Sequence, residues 1–179
     1  RFLGYDVRVR RNMHPKRKSN GVVSRTLNGT VELCIPLQEK IERFIIDQGI
    51  AIKGKDGKFQ TKHRTDILNN TDFEIINSYN AKTRGICNYY RIASNCNKLD
   101  YFVYLMEYSC LKTLARKHKT TVAQIRAKYA CGKSWGVPYK TKSGQKTAMI
   151  VTLAKLRTES VYPTEMDVIR KRWIDYDRR

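Results

Sequence analysis

The chain has 179 residues, of which 41% are hydrophobic, so it is long enough for one domain with a real core. Lysine and arginine total 36 against 16 acidic residues, and phosphate is the most natural complement of the resulting net charge of +20. The sequence contains no signal peptide, lipidation motif or long apolar run, which argues against a membrane protein. The composition therefore favours a protein that binds nucleic acid.

The cysteine pattern indicates free thiols. The number is odd, the spacing is wide and no C-x-x-C pair occurs, which argues against a disulfide framework and a zinc ribbon. Two of the cysteines fall within helical patterns, where cysteine usually serves as a small buried apolar group. The pattern favours a reducing compartment. The cysteines are Cys34, Cys87, Cys96, Cys110 and Cys131, with Cys87 and Cys110 in the helical patterns.

The first 35 residues are predicted to form strands. Apolar and polar residues alternate over residues 2–10, which predicts a strand with one basic face. Residues 22–24 and 30–35 flank the turn signal Asn28-Gly29, so we expect these two segments to pair. The chain opens at Arg1 rather than Met and ends abruptly, and we expect it to be a piece of a longer protein. The alternating apolar residues are Leu3, Tyr5, Val7 and Val9.

Three helices are predicted in the middle of the chain. The first begins at Pro36 and ends at Gly49, and residues 53–65 after it are expected to be a loop. A capping box at residues 71–74 starts the second, which runs to about Asn95, and the third begins near residue 99 and ends in a basic turn. Their apolar stripes are Leu37, Ile41, Phe44 and Ile45; Ile75, Tyr79, Ile86, Tyr90 and Ala93; and Leu99, Phe102, Val103, Met106, Cys110 and Leu114.

Gly85 lies inside the second predicted helix, where glycine costs about 1 kcal/mol relative to alanine. Two interpretations stay open. The glycine either allows a neighbouring helix or an RNA backbone to approach closely, or it is simply tolerated.

The C-terminal part is predicted to hold a short helix, a hairpin and a last helix. Thr120 or Thr121 caps the short helix, and Gly132 stops it. After a loop over 135–138, strands at 139–142 and 145–153 flank Ser143-Gly144, and a final helix opens at Pro163. The predicted fold class is mainly α with small β elements: a bundle of three to four helices preceded by strands and followed by a short β-hairpin and a terminal helix.

The basic residues concentrate between residues 80 and 146, which hold fourteen lysines and arginines against only Asp100 and Glu107. Tyrosines and a tryptophan are interleaved with them. Cations hold phosphates and aromatic rings stack on unpaired bases, so this mixture favours structured or single-stranded RNA over duplex DNA. The residues that we expect to contact RNA are Arg84, Asn88, Tyr90, Arg91, Lys112, Arg116, Lys117, Lys119, Arg126, Lys128, Lys133, Lys140, Lys142 and Lys146.

A polar stripe on the second predicted helix sharpens this expectation. Four polar residues follow an i, i+4, i+7, i+11 pattern on the face opposite the apolar stripe. The planar guanidinium of Arg91 is suited to a phosphate, although an ordinary solvated face gives the same pattern. Tyr89 and Tyr90 face different ways, so we expect one in the core and the other at the surface. The stripe consists of Arg84, Asn88, Arg91 and Asn95.

Candidates for catalysis are few. His14, His63 and His118 have no carboxylate or cysteine partner at metal-ligand spacing, and His118 sits among cations. The sequence has no acidic cluster suited to two magnesium ions and no glycine-rich phosphate loop after a strand. We therefore predict no catalytic residue and no metal site in this chain.

Two motifs give the chain a family resemblance. Residues 75–80 (Ile-Ile-Asn-Ser-Tyr-Asn) and 84–90 (Arg-Gly-Ile-Cys-Asn-Tyr-Tyr) resemble the maturase motif of group II intron-encoded reverse transcriptases. Residues 108–118 (Tyr-Ser-Cys-Leu-Lys-Thr-Leu-Ala-Arg-Lys-His) continue in the same manner. The opening Arg-Phe-Leu-Gly-Tyr resembles the last palm segment of that family. The similarity covers about residues 1–155 in the right order, and two motifs in order are more specific than either alone.

The resemblance implies palm strands over 1–35, a helical thumb (the maturase or X domain) over 36–155, and a helix or linker over 156–179 toward a DNA-binding or endonuclease region. In this family the thumb binds intron RNA for splicing and grips the primer–template duplex during reverse transcription. The polymerase site, which uses Mg²⁺, lies upstream in the palm, so the resemblance implies no cofactor here. It also implies a bacterial cytoplasmic or organellar location, and leaves open a homodimer of the full-length protein.

Three other functions compete with this one. Residues 121–129 and the preceding helix resemble a helix-turn-helix, which would prefer duplex DNA. A nuclease using His14 or His63 would cleave in the presence of a divalent metal. A protein-binding module would pair its charge with an acidic partner, and RNase treatment would not remove that partner.

Overall fold

Helices and short antiparallel strands alternate along the chain. The computed structural model describes residues 1–9, 11, 16–17, 19–24, 31–142 and 144–158. The helices are α1 (Arg43–Asp47, entered through a π-helical turn, Leu37–Glu42), α2 (Asp72–Tyr89), α3 (Leu99–His118), α4 (Val122–Lys128) and α5 (Leu153–Thr158). The strands are β1 (Asp6–Val9), β2 (Lys16–Arg17), β3 (Val23–Ser24), β4 (Val31–Cys34), β5 (Ala51–Lys53), β6 (Phe59–Thr61), β7 (Ala130–Cys131), β8 (Ser134–Thr141) and β9 (Gly144–Met149). The predicted class, mainly α with small β elements, is confirmed.

The N-terminal strands pair differently from the prediction. Strand β1 pairs with β4 in antiparallel register, from Asp6 opposite Cys34 to Val9 opposite Val31. Strand β3 pairs with β2, so the predicted pairing of residues 22–24 with 30–35 is wrong. The turn signal at residues 28–29 lies outside the described residues. Complementary strands that are distant in the sequence have overridden a local hairpin signal.

The first strand is also shorter than predicted. Leu3 and Gly4 both have positive φ angles, +44° and +76°, in a turn that two backbone hydrogen bonds between Phe2 and Tyr5 close. Extended backbone cannot accommodate these angles, so the strand begins only at Asp6.

Helix α1 and a hairpin form one edge of the core. Gly49, with φ +63°, ends the helix as predicted, and Ile50 after it is fully buried. Residues 53–65 were predicted to be a loop, but β5 and β6 pair there, with Ala51 opposite Thr61. Buried Ala51 and half-buried Phe59 attach this hairpin to the core. The segment is rich in glycine and lysine, so its sequence pattern does not predict these strands.

Helix α2 begins as predicted and ends early. The Thr71 side chain accepts a hydrogen bond from the Glu74 amide, and Glu74 Oε2 accepts one from the Thr71 amide, which is the predicted capping box. The helix stops at Tyr89 rather than near Asn95. The Ser94 amide donates to the Leu33 carbonyl at 2.8 Å, and the Asn95 side chain accepts from the Ile35 amide at 2.8 Å. Residues 90–95 therefore leave the helix because they bind the segment around β4.

Helices α2 and α3 pack through a buried polar contact within an apolar core. All six residues of the predicted α3 stripe are buried, and so are Cys87 and Cys110. Tyr79 is fully buried, and its hydroxyl lies 2.8 Å from Ser109 Oγ and 3.1 Å from Thr113 Oγ1. Burial raises the pKa of Tyr79 to about 12, against the smaller opposite effect of these hydrogen bonds. The phenol therefore stays neutral and ties the two long helices together.

The C-terminal sheet begins earlier than predicted. Of the two candidate caps for α4, Thr121 is the one that accepts from the Gln124 amide. Residues 135–138 belong to β8 rather than to a loop, because Trp135 pairs with β7 and residues 136–138 pair with β9; the Trp135 and Val137 side chains are buried. Strand β9 ends at Met149, and the residues from 153 start α5 instead of extending the strand. The helix predicted from Pro163 lies outside the described residues.

Gly85 faces open space. A Cβ built on it would meet no other group within 4 Å, so within the described chain no neighbouring helix requires a glycine there. Among the described helices, none is both long enough and apolar enough to cross a bilayer.

Candidate nucleic-acid interface

The outer face of α2 carries two of the predicted RNA contacts. Arg84 and Asn88 are exposed and lie one turn apart, next to Gly85. The predicted stripe of four residues is wrong beyond them, because the helix ends at Tyr89. The Asn95 side chain instead forms hydrogen bonds with the backbone of Ile35, so a polar residue at this position has a structural role that does not require RNA.

The residues at the end of α2 divide between core and surface. Tyr90 is 5% exposed and Tyr89 is 51% exposed, which confirms that only one of the pair is in the core. The Tyr90 ring packs against Tyr5 and Tyr89, so it offers no open face to a base. Arg91 is half-buried, and its Nη2 has no hydrogen-bond partner within the described residues.

The β8–β9 hairpin is fixed against the N-terminal half of α2. The rings of Phe73 and Tyr139 stack with their centroids 4.2 Å apart. The Asn80 side chain donates to the Met149 carbonyl at 2.8 Å and accepts from the Val151 amide at 3.0 Å. Because both ends of the hairpin are attached, its exposed side chains have a defined position relative to α2.

The hairpin presents three predicted contacts. Lys140, Lys142 and Lys146 are all exposed, and none of them forms an ion pair within the described residues. Strand alternation places Lys140 on one face of the hairpin and Lys146, which lies opposite Tyr139, on the other, while Lys142 lies in the turn after β8. With a rise of about 1.5 Å per residue, Arg84 lies about 16 Å from Phe73 along the axis of α2. We use the name α2–hairpin surface for the exposed Arg84 and Asn88 on α2 together with Lys140, Lys142 and Lys146, which are distributed over both faces and the turn of the hairpin.

A second group of predicted contacts has partners inside the protein. The carboxylate of Asp72, at the start of α2, lies 2.6 Å from Lys117 Nζ and 2.6 Å from His118 Nε2. It also accepts a 2.5 Å hydrogen bond from the Tyr129 hydroxyl. His118 lacked a carboxylate partner in the sequence, and the fold supplies one from 46 residues away. We call these four residues the Asp72 cluster; it joins the ends of α2, α3 and α4.

The Asp72 cluster holds its charge firmly. Burial opposes ionisation of the Asp72 carboxyl, but hydrogen bonds from Lys117, Tyr129 and His118 outweigh it and lower the pKa from 3.8 to about 2. Burial and the bond to Asp72 raise the pKa of the Tyr129 phenol. The cluster therefore holds an ionised carboxylate among donors at neutral pH.

Some of the remaining predicted RNA contacts already form hydrogen bonds, ion pairs or ring contacts within the protein, and others do not. Lys112 Nζ donates to the Thr61 carbonyl at 2.7 Å, and Arg126 Nη2 lies 2.8 Å from Glu107 Oε1. The Lys128 ammonium lies 5.0 Å from the centre of the Tyr129 ring. Arg116, Lys119 and Lys133 are exposed and form no ion pair in the part of the chain that the structure describes.

Within the described residues, no group of three or more histidine, cysteine or acidic side chains lies close enough to hold a metal ion. His63 is exposed on the segment after β6, and His14 lies outside the described residues.

The chain is similar to intron proteins and to maturases. The family model described as "Type II intron maturase" matches residues 29–166. The group II intron-encoded protein LtrA of Lactococcus lactis subsp. cremoris is 50% identical over 167 residues, which is 93% of this chain and 28% of LtrA. A Saccharomyces cerevisiae protein named for intron 1 of COX1/OXI3 is 30% identical over 125 residues, 66% of this chain and 15% of that protein. Maturase K of Stangeria eriopus is 28% identical over 106 residues, 58% of this chain and 20% of that protein.

The chain thus spans less than a third of each of these relatives. The matched family region nevertheless contains α1 to α5, the α2–hairpin surface and the Asp72 cluster. From the extent of that match, the chain belongs to the type II intron maturase family.

Proposed function

We propose that this chain is the RNA-binding thumb, or X domain, of a group II intron-encoded reverse transcriptase. It binds intron RNA to assist splicing and grips the primer–template duplex during reverse transcription. The α2–hairpin surface carries the proposal, because its four cations are exposed and form no ion pair within the described residues. A cation that is not paired with a protein carboxylate can bind a phosphate directly, because no internal ion pair has to be broken first.

The chain contributes binding rather than chemistry in this proposal. In the family that it resembles, the intron RNA is the splicing catalyst, and polymerisation requires the Mg²⁺ site of the palm. A protein that binds one RNA conformation better than the others shifts the population toward it by the difference in binding free energy. The α2–hairpin surface would act in this way by offsetting phosphate repulsion in the folded intron.

The proposed layout assigns residues 1–35 to the end of the palm, 36–155 to the thumb and 156–179 to a connection toward a further region. The change from paired strands to helices near residue 36 supports the first boundary. The bacterial and fungal relatives favour a bacterial cytoplasm or an organelle as the location. Homodimerisation of the full-length protein is part of the same family expectation.

The helix-turn-helix alternative gains little from the structure. Helix α4 has seven residues, of which Ile125 is buried, and Arg126 is engaged by Glu107. Tyr129 after it belongs to the Asp72 cluster. A recognition helix needs several free side chains to reach base edges, and this helix retains few of them.

The test is intron-RNA binding across a salt series with two matched triple variants. Arg84→Gln/Lys140→Gln/Lys142→Gln removes three cations from the α2–hairpin surface. Lys40→Gln/Lys55→Gln/Lys58→Gln removes three exposed cations elsewhere and makes the same change in net charge. Each lost phosphate contact reduces the log–log salt slope by about 0.7 to 0.9, so we expect the first variant to lose about 2 from its slope.

We expect the control variant to keep the wild-type slope within experimental error. Equal slopes for the two variants would mean that only net charge matters, and would contradict an interface on α2 and the hairpin. A wild-type slope near zero would refute RNA binding by this chain altogether.

A further inference from the structure

The solvent-facing stripe of α3 carries a row of stacked tyrosines. The ring centroids of Tyr101 and Tyr104 lie 6.4 Å apart with 17° between the planes. Those of Tyr104 and Tyr108 lie 5.8 Å apart with 24° between the planes. Tyr101 and Tyr104 are 51% and 53% exposed. We call these three residues the tyrosine ladder.

The ladder is not part of the core. The whole predicted apolar stripe and eleven residues of α3 in all are buried, and none of the three tyrosines is among them, so the ladder lies on the side of the helix that faces water. An amphipathic helix usually places charged or small polar residues there. Three aligned aromatic rings expose a continuous apolar strip instead, and such strips on a protein surface commonly mark a binding site.

Cations border the ladder at one end and on one flank. Lys112 continues the row by one helical turn, and its ammonium lies 5.4 Å from the centre of the Tyr108 ring. On one flank, the Glu107 carboxylate pairs with Arg126 beside a cleft of about 440 Å³ that Lys133 also lines. Aromatic faces with flanking cations are the combination that binds unpaired nucleotides.

We propose that the tyrosine ladder is a stacking platform for a run of unpaired RNA nucleotides, whose phosphates lie on the bordering cations. The proposal rests on the proposed function and adds to it a single-stranded site on α3, separate from the α2–hairpin surface. Bases within a duplex already stack on one another, so only a loop, bulge or end can place a base face on a tyrosine ring. Lys112 beside Tyr108 and exposed Lys133 in the cleft next to Glu107 supply positive charge at the strip, which favours a nucleic acid over an apolar protein partner; Arg126 adds a cation that is already paired with Glu107.

The experiment measures binding of the 179-residue chain to three probes: a 12-nucleotide oligoadenylate, an RNA duplex of equal length and an abasic oligomer with the same backbone. Tyr101→Ser/Tyr104→Ser removes two rings, and Tyr101→Phe/Tyr104→Phe keeps them. Ile92→Ser is the control, because Ile92 is an exposed apolar residue outside α3, in the segment between α2 and α3. Stacking contributes enough per base that we expect oligoadenylate to bind the serine variant at least tenfold more weakly.

The serine variant should bind the duplex and the abasic oligomer as the wild type does, with an unchanged salt slope, because no cation is lost. The phenylalanine and Ile92→Ser variants should keep wild-type affinity for oligoadenylate. Equal losses on the abasic oligomer, or an equal loss in the phenylalanine variant, would overturn base stacking. So would concentration-dependent self-association of the wild type that the serine variant abolishes, since a second copy would then cover the ladder.

The two proposals fail separately. If the serine variant binds oligoadenylate as the wild type does while intron RNA still responds to the α2–hairpin variant, the ladder proposal alone is refuted. If the wild type binds no RNA, the proposed function is refuted together with it. Thermal unfolding of each variant checks that the exposed substitutions leave the fold intact.

Discussion

The Asp72 cluster and the α2–hairpin surface use the same residue types in opposite ways. In the cluster, Lys117 and His118 converge on one partly buried carboxylate. On the surface, Arg84 and three hairpin lysines are exposed and form no ion pair within the described chain. Both groups come from the same basic stretch of sequence. The difference teaches that a count of charges does not separate cations that stabilise the fold from cations that are available to a ligand.

The two regions should therefore respond to different measurements. An internal ion pair contributes to the free energy of unfolding, and losing one partner leaves the other without compensation. Unpaired surface cations repel one another and contribute little or negatively to stability, but each one adds to the salt dependence of RNA binding.

The largest effect is expected from Asp72→Ala. This substitution removes the acceptor for Lys117, His118 and Tyr129, and we expect it to lower the free energy of unfolding by about 3 kcal/mol. Asp47→Ala is the control, because its pair with Arg43 is exposed, and it should change stability by less than about 0.5 kcal/mol. Urea unfolding measures both values.

The same variant tests the division between the two regions. At a temperature where Asp72→Ala remains folded, the salt slope for intron RNA should equal that of the wild type. A stability change no larger than that of Asp47→Ala would show that the cluster does not join the helices. A changed salt slope would place the cluster in the RNA interface.

Acid should weaken the cluster in a defined window. Because the folded pKa of Asp72 is lowered from 3.8 to about 2, the stabilisation is fully present at about pH 5 and above and is lost as the pH falls through 3.8 toward 2. The shift corresponds to about 1.5 kcal/mol after allowance for screening at this partly exposed site. The difference in unfolding free energy between wild type and Asp72→Ala, measured from pH 5 to pH 2, should shrink by that amount. A constant difference would mean that this carboxyl titrates equally in the folded and unfolded states.

Local signals in the sequence predicted much of the fold. The capping box of Thr71 and Glu74 and the apolar stripe of α3 both depend on neighbours within one or two helical turns, and both are present. The pairing of β1 with β4 and the early end of α2 depend on contacts between segments more than 20 residues apart in the chain. Such contacts can override local propensity, and no local sequence pattern predicts them.

The candidate site was predictable in composition but not in arrangement. The basic stretch contained Arg84 and the hairpin lysines, which the fold leaves exposed. It also contained Lys117, whose partner Asp72 lies 45 residues earlier, so no spacing rule connects them. The tyrosine ladder had a usable signal, since Tyr101, Tyr104 and Tyr108 follow the i, i+3, i+7 spacing of one helix face.

The smallest effect concerns Gly85, on the outer face of α2. A Cβ there meets nothing within 4 Å in the described part of the chain, and alanine is a better helix former than glycine, so Gly85→Ala should raise the free energy of unfolding by about 1 kcal/mol. Gly136→Ala is the contrasting variant, because its Cβ would lie 2.7 Å from the Ala148 carbonyl oxygen, and it should destabilise the protein. Urea unfolding and intron-RNA binding of Gly85→Ala together decide between the two interpretations of this glycine. Stabilisation with unchanged affinity means that it is only tolerated, whereas stabilisation with weaker binding means that an RNA backbone approaches α2 closely enough to exclude a methyl group.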